Sequence, residues 1–173
     1  MPLEFCIRRG QPEDASRLAV LATQVWLHTY ATAGITADIA EFVLQNLTPS
    51  TYQKALNSPS SQCFVAEIGA SLVGFALIKS NAPCPVENEA SVELQTLYVQ
   101  ANFLGQGVGK MLLQTAQAEA RSQSSSVLWL TVNAKNTRAI GFYACQGYTQ
   151  VGTSYFVLGE ERHENHVLIG ANV

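Results

Sequence analysis

The chain has 173 residues, 47% of them hydrophobic, and a formal net charge of −3. This apolar content excludes a disordered chain, and the length allows one core rather than two. A slightly acidic chain is also a poor general nucleic-acid binder, which needs basic surface to neutralise phosphates, so no nucleic-acid partner is expected.

In chain order, residues 4–9 alternate Phe5 and Ile7 against Glu4, Cys6 and Arg8, which predicts a first strand stopped by Gly10. Gln11-Pro12-Glu13-Asp14 is a helix-start signal, with proline early and acids in the first turn. Leu18, Leu21, Ala22, Val25 and Trp26 follow at helical spacing as one apolar stripe, interrupted at Gly34. Thr36 caps a second predicted helix carrying Ile39, Phe42, Val43 and Leu47, and Thr48-Pro49 opens a short third one ending near Asn57. The period then changes. Residues 63–68 and 72–79 are short apolar runs on either side of Gly69-Ala70-Ser71, a predicted β-hairpin. Residues 81–88 contain two prolines and no periodicity and read as a loop, too short and too central to divide domains. Residues 90–99 read as a strand. Residues 107–121 read as a helix with Val108, Met111, Leu112, Thr115, Ala116 and Glu119 along one face. After a polar break at 123–126, residues 127–132 read as a buried strand. Asn136 caps a helix that ends at Gly147, and residues 148–158 and 164–170 read as two closing strands.

This order is mixed α/β, with one sheet covered by helices and one domain over residues 1–173. The middle strands are expected to pair as antiparallel neighbours. The later strand–helix–strand unit must run parallel, because a helical crossover returns the chain in the same direction. The four cysteines, Cys6, Cys63, Cys84 and Cys145, show no CxxC spacing and read as reduced, small apolar residues. His163-x-x-His166 is too short and isolated for a metal site, His28 stands alone, and no metal is expected. The N-terminal segment has no long apolar stretch and no run is long enough to span a bilayer, so a cytoplasmic protein without a membrane partner is expected.

The sharpest feature is Leu104-Gly105-Gln106-Gly107-Val108-Gly109-Lys110, between a predicted strand and an amphipathic helix. Glycines at a strand-to-helix turn let backbone N–H groups close on an anion, and the helix N-terminus adds partial positive charge. A diphosphate is the natural ligand; a plain capping turn is the alternative. The pattern GxxxxGK[ST] fails, because Leu104 replaces its first glycine and Met111 follows Lys110. GxGxxG also fails, since the third glycine falls on Lys110 or Leu112. A nucleotide-binding phosphate loop is therefore disfavoured.

The segment resembles the GNAT superfamily of N-acetyltransferases. That family's pattern R/Q-x-x-G-x-G/A follows a strand ending in an apolar-x-Val stretch and precedes a leucine-rich helix, as Leu97-Tyr98-Val99 and Met111-Leu112-Leu113 do here. Leu104 departs from the usual Arg or Gln. A second block agrees: Leu128-Trp129-Leu130-Thr131-Val132, then Asn136, then Ala139-Ile140-Gly141-Phe142-Tyr143, then Gly147-Tyr148. The resemblance implies a single mixed, mostly antiparallel sheet with one splayed parallel pair, and acetyl-coenzyme A as acyl donor. It places the donor against Leu97, Tyr98 and Val99, against Gly105, Gln106, Gly107, Val108, Gly109 and Lys110, and against Asn136 and Tyr143. Family likeness also leaves a homodimer open.

An ammonium acceptor must lose a proton before it attacks a thioester, the carbonyl oxygen needs a hydrogen-bond donor, and the departing thiolate is helped by a proton. By resemblance, a backbone N–H at 97–99 is the donor and Tyr143 the acid. The base some relatives carry on the strand before the Asn helix is missing, because Thr131 stands there. Other relatives carry a Glu six residues before the strand-end aliphatic, which here is Glu93, flanked by Val92 and Leu94. Burial there would raise its pKa toward a useful value; a solvent-facing or structural Glu is the alternative.

Trp26 and Tyr30, with Glu93, are the candidate acceptor-binding residues. The chain also resembles bacterial polyamine N-acetyltransferases of the PaiA type, through Glu93-Leu94-Gln95-Thr96-Leu97-Tyr98-Val99 and the stretch from Ser154 to Glu161. Glu87, Glu89, Glu93, Glu160 and Glu161 would then form a cation-attracting mouth. The expected acceptor is a polyamine or another small primary amine, with a protein N-terminus or lysine, an amino-acid derivative or an aminoglycoside as the alternatives. A non-catalytic acetyl-coenzyme A sensor is the alternative function.

Overall fold

The computed structural model describes residues 4–86, 90–124 and 127–171. Among these, seven strands form one sheet: β1 (Cys6–Arg9), β2 (Ser61–Ile68), β3 (Ser71–Lys79), β4 (Val92–Val99), β5 (Leu128–Asn133), β6 (Thr149–Leu158) and β7 (Glu161–Ile169). Their order is β1-β2-β3-β4-β5-β7-β6. The helices are α1 (Ala15–Tyr30), α2 (Ala37–Asn46), α3 (Pro49–Asn57), α4 (Val108–Ser124) and α5 (Thr137–Cys145). β4 and β5, joined through α4, are parallel, and the pairs β1–β2, β5–β7 and β6–β7 are antiparallel. The expected mixed sheet with one parallel pair is present.

Contacts divide the chain into two compact units, Met1–Ile78 with Thr96–Ala116, and Lys79–Gln95 with Gln117–Val173. In the first, the α1 stripe is buried as its spacing predicts. Leu18, Leu21 and Ala22 pack with Val65, Phe75 and Leu77 of β2 and β3 and with Tyr52 of α3. Full burial of one such side chain stabilises by about 1.5–3 kcal/mol, so Leu18→Ala, in a site with no exposure, would cost about 2–5 kcal/mol. The starts of α2 and α3 are capped as expected: Thr36 accepts from the Ile39 amide at 3.3 Å and Thr48 from the Thr51 amide at 3.2 Å. Ahead of α1, the buried Asp14 carboxylate accepts from Arg8 at 2.8 and 2.9 Å, from the Gln11 amide at 2.8 Å and from Arg17. Arg8 also reaches Glu67 of β2 at 2.7 Å, so one charge cluster ties β1, β2 and α1 together.

In the second unit, Trp129 of β5 packs with Cys84, Ala90 and Val167, and its indole N–H donates to the Ala82 carbonyl at 2.7 Å. The loop after β3 lies along the approach to β4, with Ala82 N–H donating to Ser91 and Cys84 N–H to Ala90, both at 2.9 Å. β4 itself begins at Val92 rather than residue 90.

Two boundaries differ further. α4 runs to Ser124, into the expected polar break, and Gln123 donates to Glu119 at 2.7 Å across that last turn. Its buried stripe is Val108, Leu112, Leu113, Ala116 and Ala120, whereas Met111 is exposed, because the i+4 row rather than the i+3 row faces the core. β7 starts at Glu161 rather than residue 164, since Leu158 pairs with Glu161 across a two-residue turn. Solvent-exposed hairpin ends carry no apolar alternation to reveal them. No helix of the described residues is long and apolar enough to cross a membrane.

Candidate active site

The glycine-rich turn sits where β4 leads into α4. Gly105 and Gly107 have φ of +76° and +86°, a region L side chains rarely adopt, and a β-carbon at either would meet nothing within 4 Å. Two left-handed residues around Gln106 curl the backbone without a side chain filling the concavity. Gln106 is turned back, its amide donating to the Asn102 carbonyl at 3.1 Å. The Gly107 carbonyl accepts the first helical bond, from Met111 at 3.0 Å, which makes Gly107 the N-cap. The amides of Val108, Gly109 and Lys110 are then the first-turn donors that a helix cannot satisfy internally. Val108 is fully buried and anchors the turn, while Lys110 is exposed and adds a positive charge. This arrangement fits a diphosphate such as that of coenzyme A. Leu104 is partly exposed at 36% and contributes no charge.

In the same unit, Leu97, Tyr98 and Val99 form the half-buried second half of β4. The Tyr98 ring meets Phe75 edge-on, with centroids 5.7 Å apart. Burial, and secondarily the neighbouring Tyr30, pushes the Tyr98 hydroxyl well above the usual phenol range. Trp26 is buried, with Tyr30 stacked on it at 4.6 Å and Phe42 of α2 also at 4.6 Å. Phe42 was visible in the sequence only as a core position of the second helix. Its pairing with Trp26 joins two helices and has no local signature.

In the second unit, Glu93 is half-buried on β4, level with Trp129 of β5. Among the described residues the parallel register comprises Val92↔Leu128 and Glu93↔Trp129, after which β4 runs on to Val99 and β5 to Asn133. Burial pushes the Glu93 carboxyl up, opposed by a hydrogen bond with Gln95 and by the charge of Lys79. Asn136 caps α5, its side chain accepting from the Ala139 amide at 3.1 Å. Tyr143 is buried on α5 between the rings of Phe142 at 5.2 Å and Tyr148 at 5.6 Å. Thr131, where another base would stand, is exposed. Of the acidic mouth, Glu160 and Glu161 lie exposed at the β6–β7 turn, and Glu87 and Glu89 lie outside the described residues. His163 and His166 are strand residues of β7, near Glu161 at 3.5 Å and Glu164 at 3.9 Å.

The glycine-rich turn ahead of α4 and the sheet order are those of an acyl-coenzyme A transferase fold. The acetyltransferase (GNAT) family profile matches residues 12–148, and the chain belongs to that family: it is a GNAT N-acetyltransferase. It is 30% identical over 156 residues to an uncharacterised N-acetyltransferase of Mycobacterium tuberculosis, covering 90% of this chain and 96% of the relative. Among solved structures, its fold is similar to a PaiA N-acetyltransferase of Thermoplasma acidophilum in complex with coenzyme A. That match has a TM-score of 0.77 at 19% identity, over 96% of this chain and 98% of the other. It is also similar to Arabidopsis thaliana NAA60 in complex with acetyl-CoA, with a TM-score of 0.71 at 16% identity over 96% and 97% of the two chains. At these identities the likeness is one of fold.

Proposed function

We propose that the chain transfers an acetyl group from acetyl-coenzyme A to a primary amine, by direct attack of the amine on the thioester. The observation that carries the donor assignment is the open turn at Gly105 and Gly107, placed at the N-terminus of α4, where a helix's first amides have no intrahelical partner. The two structural relatives bound to coenzyme A and acetyl-CoA support it. The donor supplies an activated acetyl group on sulfur. Gly105, Gln106, Gly107, Val108, Gly109 and Lys110 take the diphosphate through backbone N–H groups and the Lys110 charge. Asn136 adds a polar contact from the start of α5.

The chemical steps are assigned to three groups. Glu93, whose burial raises its pKa, takes a proton from the acceptor ammonium. A backbone N–H among Leu97, Tyr98 and Val99 donates to the carbonyl oxygen as charge develops there. The bond from amine nitrogen to acetyl carbon forms, the carbon–sulfur bond breaks as the Tyr143 hydroxyl protonates the sulfur, and the second proton lost by the nitrogen returns Tyr143 to its neutral form through solvent. Trp26 and Tyr30 contact the acceptor. A polyamine or other small primary amine is the favoured class, supported by the PaiA-type likeness; a protein N-terminus or lysine is second. No metal enters this chemistry, and the proposed setting is the cytoplasm.

The test is release of free coenzyme A thiol from acetyl-CoA across a panel of spermidine, amino acids, aminoglycosides and peptides. Release that depends on one amine class supports the reading and names the acceptor. Binding of acetyl-CoA without release on any amine would instead favour a sensor, a role compatible with Leu104 and Thr131 departing from catalytic relatives.

A further inference from the structure

We propose that Tyr148 is a positioning residue for Tyr143: its ring, held on three sides, sets where the Tyr143 hydroxyl points. This rests on the reading of Tyr143 as the acid.

Gly147 has φ of +83°, its N–H donates to the Ala144 carbonyl at 3.0 Å, and the Tyr148 N–H donates to the Tyr143 carbonyl at 3.0 Å. These two bonds are the Schellman pattern, which folds the second residue after a helix back against the residue that opens its last turn. The chain therefore places Tyr148 on Tyr143 by local geometry, and the two rings meet at 5.6 Å with a tilt of 59°.

Two further contacts fix Tyr148 itself. Gln117 of α4 donates to the Tyr148 hydroxyl at 3.1 Å. On another side lies Gly170, where a β-carbon would stand 3.3 Å from the Tyr148 ring. Gly170 is in turn held by its N–H bond to the Leu128 carbonyl at 2.9 Å. Both tyrosines are buried, so neither ring has free space in which to swing. Burial, against the opposing effects of Gln117 and Arg121, pushes the Tyr148 hydroxyl up to about 12, so it stays neutral across the working pH range. A fixed, neutral ring beside a reacting hydroxyl acts on geometry rather than on charge.

The experiment is a double-mutant cycle on kcat with Tyr143→Phe, Tyr148→Phe and the double variant, alongside Gln117→Leu and Gly170→Ala. Tyr148→Phe keeps the ring and removes the Gln117 bond; Gln117→Leu removes the donor and keeps the hydroxyl; Gly170→Ala pushes the ring. Each is expected to lower kcat roughly 3- to 10-fold, the rate equivalent of one hydrogen bond, with KM for acetyl-CoA within about twofold. In the Tyr143→Phe background, Tyr148→Phe should cost nothing more, because its effect runs through Tyr143. A purely structural role predicts instead a loss that persists in that background, and that outcome, or a normal kcat in Tyr148→Phe, overturns the proposal. A normal kcat in Tyr143→Phe removes the acid assignment and the proposal with it, a result recognisable from that single variant.

Discussion

Gly74 of β3 lies against Tyr98 of β4 so closely that a β-carbon on it would stand 2.8 Å from the Tyr98 carbonyl oxygen. Leu112 and Val108 of α4 would be met at 3.2 and 3.4 Å. The missing side chain thus sets how deeply the first turns of α4 sit over the sheet, and with them the glycine-rich turn that precedes it. Gly74→Ala is predicted to destabilise by about 1–3 kcal/mol, because backbone cannot move aside as a flexible side chain can. For a chain of this size that is about 2–4 °C of melting temperature per kcal/mol. Thermal unfolding checks it, and an unchanged melt would show that β3 and β4 are not in such close contact.

Gly107→Val should abolish coenzyme A binding. It adds strain at φ of +86° and places a branched side chain where the anion must approach the backbone. Gly69→Val is the matched control, at φ of +55° in the β2–β3 turn, also with nothing within 4 Å. Calorimetric titration of both variants with coenzyme A should find binding lost only in the first. Equal affinities would mean that the turn at 105–110 does not hold the diphosphate.

Glu93→Gln is predicted to lower kcat at neutral pH roughly 100-fold or more while leaving coenzyme A affinity nearly unchanged. As the base must be ionised, the acid limb of the wild-type pH–rate profile should lie above the ordinary carboxylate range, and it should vanish in the variant. Stability carries the same signature with a definite sign. Between its ordinary and its raised pKa, the folded chain binds more protons at Glu93 than the unfolded chain does. The contribution to stability therefore falls as pH rises through that window, and Glu93→Gln should flatten the trend. Unaltered turnover would remove Glu93 from the mechanism.

Asp14 behaves oppositely. Hydrogen bonds from Arg8 chiefly, opposed by burial and aided by the Gln11 amide and Arg17, hold its carboxyl well below the usual range. Its stabilisation is present above the ordinary carboxylate pKa and is lost as pH falls toward the depressed one. Asp14→Asn should cost about 2–3 kcal/mol, less than a fully buried pair would, because the Arg8 and Arg17 side chains are 31% and 41% exposed. Denaturant unfolding at neutral pH measures it. A loss below about 0.5 kcal/mol would mean that solvent screens the cluster.

What the residues declared locally was legible in the sequence. Thr36, Thr48 and Asn136 cap the helices they precede, and the break at Gly69-Ala70 turns β2 into β3. Caps and turns depend on side chains within a few positions of each other, so the letters carry them. The glycine turn was legible for the same reason. Less visible were relationships made by distant segments: Gly74 against Tyr98, Phe42 on Trp26, and Gln117 on Tyr148. The rotation of the buried α4 stripe away from Met111 belongs with these, since a row of apolar residues does not say which neighbour it will meet.

The most direct measurement of the central claim is the fate of a labelled acetyl group. The chain is incubated with acetyl-coenzyme A labelled in that group and with each amine in turn, and the products are separated by mass. Label is expected on the amine nitrogen of one acceptor class, matched by free thiol, with no such product from Gly107→Val. Label that stays on coenzyme A with every small amine and peptide, despite tight binding, would contradict the claim.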